Sequence, residues 1–543
     1  MALSLTAEQR EILKIFKIDE QYVIPAYQRP YSWGYDQCIQ LFNDLFEAFR
    51  SDEEYFIGNI IIAKSESTKD KLEVIDGQQR LTTLLLLIKV LYLFQPELKV
   101  LRTLLEQENW EGNETKPRII SNIFEAKDRE ELNAILKYDM LTISDRFQAI
   151  IGRNNKPNWK KTRNKFERNL LFFYSWIQYQ KKQGTNLKEF IGFILKKIYL
   201  LPIELTGKSQ EEANEKALII FETINNRGMN LEDADIFKAK LFKKAEKVQE
   251  GELFIESWIE FKYNCQNLKL EVDDIFRYYS HIIRGKNKIT SSEINLREFF
   301  VREHFSPFEL KKYKEIMKDL FTITEVLEFI NQNKNTETEL AKWLQLIESY
   351  TNQYPKFAVV TYLFTNGLEI NPQLINSLTS IVRYVYYQGS TTRVKFEIYN
   401  IIKQICSKQE IGNYYVNHID ISHFNHLGKL KYGFALLAFY SNREKAIQNF
   451  NVDKIISLKD QTYLTQSWKN TDLETITDDL GNFAVLDIPK RNVSLIKKIE
   501  YYKSSQLLEI INLNLHDFTF DRFKNRDLKL KKILINFFNG NNE

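Results

Sequence analysis

At 543 residues the chain exceeds the usual size of one folding unit, so two or three domains are expected. A hydrophobic content of 43% beside 27% charged residues excludes a disordered chain and marks an ordinary soluble globular one. The 76 basic and 72 acidic residues leave a formal net charge of only +4, which excludes a global basic field, so any nucleic-acid contact must come from local patches.

Aromatic residues are abundant, with 28 Tyr and 38 Phe, enough to fill large cores. Only 10 Pro and 18 Gly point to a mostly helical chain without long flexible linkers. Cys38, Cys265 and Cys406 are far apart and odd in number, so they form neither a disulfide framework nor a zinc pattern. Met1 to Thr6 lacks a basic-then-apolar signal architecture, and no apolar run approaches the roughly 20 residues of a membrane span. A soluble, cytoplasmic protein with no membrane partner is expected.

In chain order, Thr6-Ala7-Glu8-Gln9 reads as a capping box before an amphipathic helix carrying Ile12, Leu13, Ile15 and Phe16. Tyr22 to Ile24 is a short strand closed by Pro25. Gln28, Arg29, Tyr31 and Trp33 then crowd into one loop. They could serve packing alone, with Trp33 stapling the loop down, or form a stacking and hydrogen-bonding wall for a base or sugar, with Arg29 on phosphate. Asp36 is placed to cap a helix whose apolar face holds Ile39, Phe42, Leu45, Phe46 and Phe49. Tyr55 to Ala63 is an apolar strand interrupted by Gly58 and Asn59, and glycine within a buried strand marks close approach of another group.

After a polar turn over 65–71, Leu72 to Ile75 is a buried strand that ends in Asp76-Gly77-Gln78-Gln79-Arg80-Leu81-Thr82-Thr83. Gly77 permits a tight turn, and from Arg80 the residues Leu81, Leu84, Leu85, Ile88 and Leu91 recur at helical spacing. A strand, a glycine turn and a helix start gather backbone N–H groups and a positive dipole end at one spot. Arg80 adds a planar charged fork suited to phosphate, and Asp76 could hold a metal–phosphate or a sugar hydroxyl. On chemistry alone, an ordinary strand-to-helix turn with solvated polar residues is an equally open reading.

From Leu91 to about Leu205 the pattern turns helical and more polar, with a polar loop over 109–116. Arg153 to Arg168 holds Lys160, Lys161 and Arg163 among seven basic residues around Trp159, either a solvated face or a nucleic-acid contact. Ile198 to Leu205 returns as a strand. Asn214 to Ile224 is helical, Asn225-Asn226-Arg227-Gly228 breaks it, and Leu231 to Phe242 resumes with Asp235. Asn225 could be a cap and Asp235 a first-turn acid. From Gly251 to about Phe439 helical periodicity dominates. His418, His423 and His426 with Asp420 match no standard zinc spacing, so no metal ligands are assigned.

The Asp-Gly-Gln-Gln-Arg-Leu-Thr-Thr run resembles the signature of the N-terminal domain of GmrSD-type, modification-dependent (type IV) restriction enzymes. Three further blocks match in that family's order: Ile24 to Trp33, Tyr55 to Ile60, and Phe221 to Gly228 with Leu231 and Asp235. Four ordered blocks over about the first 240 residues are more specific than one short motif. The resemblance implies a ParB/sulfiredoxin-like fold that binds a nucleoside triphosphate with Mg²⁺. Asp76 and Arg80 would serve hydrolysis. Gln28, Arg29, Tyr31, Trp33, Gly58, Asn59, Gly77, Gln78, Gln79, Asn225 and Asp235 would border the pocket.

Val452 to Ser457, Leu480 to Leu486, Asn492 and Lys498 to Tyr502 resemble the His-Asn-His (ββα-metal) nuclease domain usually fused behind that domain. The family's catalytic histidine is replaced, since the matching positions read Asp453-Lys454-Ile455. A general base must take a proton near neutral pH, which histidine does and an exposed lysine does not. A degenerate nuclease is therefore expected, with a basic tail in which Lys497 and Lys498 could still hold DNA.

The expected architecture is α+β. A ParB-like nucleotide-binding domain spans 1–245 with a helical insertion at about 95–195, a helical domain spans 246–440, and a degenerate ββα domain spans 441–543. The expected function is an NTP-binding, NTP-hydrolysing, DNA-interacting component of a GmrSD-like antiphage system, acting with a nuclease partner subunit or as a homo-oligomer. A self-sufficient NTP-dependent endonuclease and a non-catalytic, nucleotide-switched DNA sensor are the alternatives.

Overall fold

Apolar, β-branched runs scattered over the first 207 residues pair into one mixed sheet. Its strands are β1 (Leu5–Ala7), β2 (Arg10–Glu11), β3 (Gln21–Ile24), β4 (Tyr55–Ser65), β5 (Lys71–Asp76), β8 (Ile119–Ser121) and β9 (Ile198–Gly207). A separate hairpin joins β6 (Glu106–Glu108) to β7 (Thr115–Pro117). The computed structural model describes residues 5–541 except 17–18, 68–70, 109–114, 124–126, 153–155, 211, 215, 218–219, 221–232, 302, 389–390, 426, 465, 469–470, 472, 490–492 and 514. The chain is mixed α+β and divides into two compact units, Met1–Ile259 and Glu260–Glu543.

The sheet order is β1-β9-β4-β5-β3-β8, with β2 also on β9. β4 runs parallel to β9 and antiparallel to β5, while β3 runs parallel to both β5 and β8. The C-terminal ends of β3, β5 and β8 therefore lie along one edge of the sheet. Ile60 to Ala63 in β4 are fully buried, as expected for a strand covered on both faces.

Around the sheet lie α1 (Ile12–Phe16), α2 (Tyr35–Ser51), α3 (Gln78–Phe94), α4 (Lys99–Leu105), α5 (Asp128–Leu136), α6 (Met140–Ile150), α7 (Lys165–Lys182), α8 (Leu187–Lys197) and α9 (Asp233–Glu246). Helix α3 is apolar nearly all round, and every residue from Leu81 to Leu91 is buried. Such a helix must be enclosed on all sides, and α3 packs against α4 and α7 within the large aromatic core.

Several expectations need correction. Leu5–Ala7 is not a helix cap; it is strand β1, paired antiparallel with Ile203 to Leu205, because an edge partner satisfies its backbone better than a short helix would. Helix α2 begins after Gly34 rather than at Asp36, which sits in the first turn. Helix α3 starts at Gln78, two residues before Arg80. The stretch 95–195 is not purely helical, since it supplies β8 to the main sheet. The segment 221–232, with Asn225, Arg227, Gly228 and Leu231, lies outside the described residues.

The second unit is helical from 260 to 441 and then carries β10 (Asn451–Lys454) and β11 (Phe483–Leu486), an antiparallel pair followed by the helix Leu495–Tyr502. Asp420 accepts from Ser422 N and caps a short turn, and His423 stacks on Tyr387. His426 lies outside the described residues. Among the described residues no group of three or more His, Cys, Asp or Glu side chains is placed to hold a metal ion. No helix among them is long and apolar enough to cross a membrane.

A buried polar cluster ties three helices of this unit together. Glu293 Oε1 accepts from Tyr354 Oη and Tyr399 Oη at 2.8 Å each, and Oε2 lies 3.3 Å from Arg277 Nη2. Burial alone would raise the Glu293 carboxyl, but His281, the two hydroxyls and Arg277 outweigh it and hold the pKa at about 2. His281 stacks on Phe357, its ring 4.0 Å away, and neither ring nitrogen has a hydrogen-bond partner. Burial drives its pKa down to about 3, against the pull of Glu293.

Both groups stabilise the unit at neutral pH and lose that contribution in acid. His281 loses it as pH falls from its unfolded value of about 6.5 toward 3, and Glu293 from about 4.5 toward 2. Between pH 7 and pH 5 the His281 contribution to unfolding free energy should drop by about 2 kcal/mol. Urea titrations of wild type and His281→Phe at both pH values check this. The variant should lose clearly less stability on acidification.

Candidate functional site

Strand β5 ends at Asp76, and the chain turns into α3 through Gly77. Gly77 has φ 89°, and a Cβ there would sit 2.4 Å from Ile60 Cγ2, so both conformation and space demand glycine. Leu81 N donates to Gly77 O at 3.0 Å, the first bond of the helix. The N–H groups of Gln78, Gln79 and Arg80 precede that bond and project from the helix's positive end.

Arg80 Nη1 donates to Asn59 O at 2.7 Å. Its guanidinium lies over Gly58, where φ is 135° and a Cβ would stand 3.4 Å from Arg80 Cζ. A bulge between Phe56 and Gly58 creates this seat. The close approach expected at Gly58 is therefore that of Arg80 itself. Asp76 is half-buried. Burial raises its carboxyl pKa, while Arg80, the Gly77 backbone and Arg29 each pull it down. Two guanidinium groups thus act on one carboxyl at a helix N-terminus, and Arg29 is exposed.

The loop 25–34 is strapped to this turn by glutamine amides. Gln28 Nε2 donates to Ile75 O at 2.9 Å, and Gln78 Nε2 donates to Gln28 Oε1 and Arg29 O at 3.1 Å each. Gln79 Nε2 donates to Pro30 O at 3.2 Å, and its Oε1 accepts from Ser32 N at 2.8 Å and Trp33 N at 3.3 Å. Tyr31 is buried, stacks on Phe166 and shares a 2.6 Å hydrogen bond with Thr83 Oγ1. Gln78, Gln79 and Tyr31 are thus occupied by the protein itself. They position Arg29 rather than face open space.

Supports that the sequence reading missed complete the strap. Asn169 Nδ2, on α7, donates to Tyr31 Oη at 2.9 Å and Trp33 O at 3.0 Å. Asp128 Oδ2 accepts from Tyr31 N at 2.7 Å. The available signal was a polar Asn169 directly preceding the apolar run Leu170 to Phe173.

A cavity of about 810 Å³ opens beside the C-terminal ends of β3 and β8, lined by Pro25, Tyr27, Glu73, Asn122, Asn214 and Phe242 among others. Glu73 Oε2 accepts from Asn214 Nδ2 at 2.8 Å, and burial raises its carboxyl pKa. The Tyr27 hydroxyl is buried without a hydrogen-bond partner. Glu73 sits within an ordinary strand pattern that did not single it out, and Tyr27, although inside the Ile24–Trp33 block, was given no role of its own.

Asp235 is half-buried in the first turn of α9, and Asn225 falls outside the described residues. Lys160, Lys161 and Arg163 are exposed, and Trp159 packs against Tyr35 and Phe172. Arg163 N and Arg146 Nε both donate to the buried Glu167, so part of this basic stretch is a folded corner. Lys497 is exposed. Lys498 is not on the surface as expected: it is buried and pairs with Asp453 at 3.0 Å, because a buried carboxylate requires a partner.

Residues 12–242 match the family model of the GmrSD restriction endonuclease N-terminal domain. The match covers β3, β4, β5, β8 and β9 of the sheet, helices α1 to α8 and the strapped turn; it begins after β1 and β2 and ends within α9. No curated protein matches the chain. Within this matched region, the Asp76–Arg80 turn and the loop carrying Arg29 are the parts held together by the amide strap.

If the strap is structural, Gln79→Ala leaves Ser32 N, Trp33 N and Pro30 O without their partner. That should cost about 1–3 kcal/mol and speed proteolysis within 25–34. Thermal melting and limited proteolysis check it. Unchanged values would place Gln79 among groups that wait for a ligand.

Proposed function

We propose that the GmrSD-type region binds, and hydrolyses, a nucleoside triphosphate, and that the chain serves a GmrSD-like restriction system on DNA. The observation that carries this reading is the Gly77 turn at the start of α3, where Arg80 is seated over Gly58 and the charges of Arg80 and Arg29 both act on Asp76. Phosphate suits that corner: N–H groups at a helix start, one guanidinium anchored on Asn59 O and a second exposed one. Asp76 is the carboxylate that fits a role in holding Mg²⁺, a hard cation commonly bound through one or two carboxylates and substrate phosphates. When bound, the ion would neutralise phosphate charge; Asp76 would otherwise orient the attacking water. The strapped loop keeps Arg29 in place, which limits the ordering needed on binding.

A ParB-like ancestry and a degenerate His-Asn-His nuclease at the C-terminus complete the proposal. The order of β10, β11 and the helix Leu495–Tyr502 is compatible with a ββα unit. Its polar residues are committed to the fold. Asp453 pairs with Lys498 and accepts from Tyr502 Oη at 2.8 Å. Asn482 accepts from Ile456 N and donates to Ile456 O and Thr477 O. Lys454 Nζ is paired to Asp478 at 3.0 Å. Asn492 lies outside the described residues. We infer that cleavage falls to a partner subunit and that this chain senses or switches.

Two measurements test the proposal. Arg80→Ala should weaken triphosphate binding about ten- to a hundred-fold, the loss of a charge-assisted contact worth about 1.5–3 kcal/mol. Asp76→Ala should spare binding more than hydrolysis, since its work is in the transition state. Equal affinities across wild type and both variants in calorimetry would reduce the turn to scaffolding. For the C-terminal region, Lys454→Ala should leave any nuclease activity unchanged, whereas loss of a true general base costs on the order of 10²-fold or more. Nicking assays with folded protein decide between them.

A further inference from the structure

Two cavities adjoin in the second unit, of about 630 Å³ and about 1080 Å³, and they share Asn442 and Ile533 in their walls. The smaller lies among the helices Lys431–Ser441 and Phe520–Asn539 and the strand β11, with Phe439, Phe483 and Phe518 as apolar walls. The larger is walled by Trp343, Tyr415 and Phe537. Seven Lys and Arg side chains line the pair against three glutamates.

Part of this charge already has a partner, since Arg522 Nη2 pairs with Asp517 on the surface at 2.8 Å. Glu509 is already held by both of its oxygens on Arg443 Nη2, at 2.8 and 2.7 Å. Arg526 donates through Nη2 to Phe483 O at 2.7 Å, but its buried Nε has no partner. Burial lowers its pKa to about 10, against the opposing pull of Tyr502, Asp527 and Glu509. Arg522, Arg526, Lys529 and Ile533 follow one another at spacings of four, three and four, so they share one face of their helix. Lys529 and Lys445 are exposed. In the larger cavity Trp343 Nε1 is a buried donor without an acceptor, and Lys342 Nζ lies 4.4 Å from its ring centroid.

We propose that the two cavities form one groove for single-stranded nucleic acid, with phosphates on Arg522, Arg526, Lys529 and Lys445 and bases against the aromatic walls. A strand of cations beside aromatic pockets is how sequence-tolerant single-strand sites work, since each base offers a π-face. Cavities of this size fit a splayed nucleotide, whereas the bases of an intact duplex stay stacked and cannot enter. Asn442, Asn512 and Asn525 line the smaller cavity as donors and acceptors for base edges. The inference rests on the DNA interaction proposed above and adds which form of DNA is held, and where.

The test is fluorescence anisotropy of the full chain with a labelled oligothymidylate and with a labelled hairpin duplex, at low and moderate salt. The single strand should bind with a steep salt dependence. Arg522→Glu with Lys529→Glu should weaken it about tenfold or more while leaving the duplex affinity and the melting temperature in place. Lys318→Glu, an exposed site on another helix, controls for net charge. If the double variant does not fold, Lys445→Glu in the neighbouring cavity should show the same selective loss. Duplex binding without single-strand binding, or single-strand binding untouched by these reversals, overturns the groove alone. Failure to bind either DNA overturns the DNA reading with it.

Discussion

The N-terminal unit depends on the approach of the Gly77 backbone to Ile60. Strand β5 can lie against β4 and still deliver its chain into α3 only where no Cβ intervenes, since even a methyl group would overlap the Ile60 side chain at 2.4 Å. That approach sets where α3 starts. The helix start in turn sets the reach of Arg80 to Asn59 O, and Gly58 leaves the guanidinium a flat seat. Gly58 within β4 and Gly77 just past the end of the adjacent β5 thus fix one cation at one end of the sheet.

Around that cation the unit separates supporting polar groups from available ones. Gln78, Gln79, Tyr31, Asn169 and Asp128 make internal hydrogen bonds, each valuable because a buried polar group left unpaired is costly. Their effect is to hold a ten-residue loop against the helix start with little freedom left. Arg29, Arg80 and Asp76 are what this framework presents. The raised Asp76 carboxyl pKa shows burial outweighing two nearby guanidinium groups, so the site is shielded enough for charge to matter.

The second unit uses polarity differently. Its buried ionic pair of Asp453 with Lys498 ties β10 to the helix Leu495–Tyr502, Lys531 pairs with Asp527 within one helix, and Asn482 staples the end of β10 to the turn before β11. A buried pair contributes little net stability but is costly to break, so such residues are poor candidates for catalysis that requires them free. Arg526 is the departure from this pattern, a desolvated guanidinium with an unfilled donor at the edge of a cavity.

By itself the sequence determined the mixed α+β class, the strand–glycine–helix turn at Asp76 to Arg80 and the need for close approach at Gly58. These are local properties: β-branched runs, helical apolar spacing and glycine placement act within a few residues. It did not determine that Leu5–Ala7 pairs as a strand, because the partner, Ile203 to Leu205, lies about two hundred residues away. It could not separate Gln78 and Gln79 from Arg80 as candidate ligand groups, since all three are polar at a helix start and only the tertiary fold shows which carbonyls they already serve. Lys498 looked like part of a basic tail for the same reason: charge is visible in sequence, but its carboxylate partner Asp453 is brought to it only by folding. Long-range pairing and burial decide which polar groups are spent, and they exist only in the folded chain.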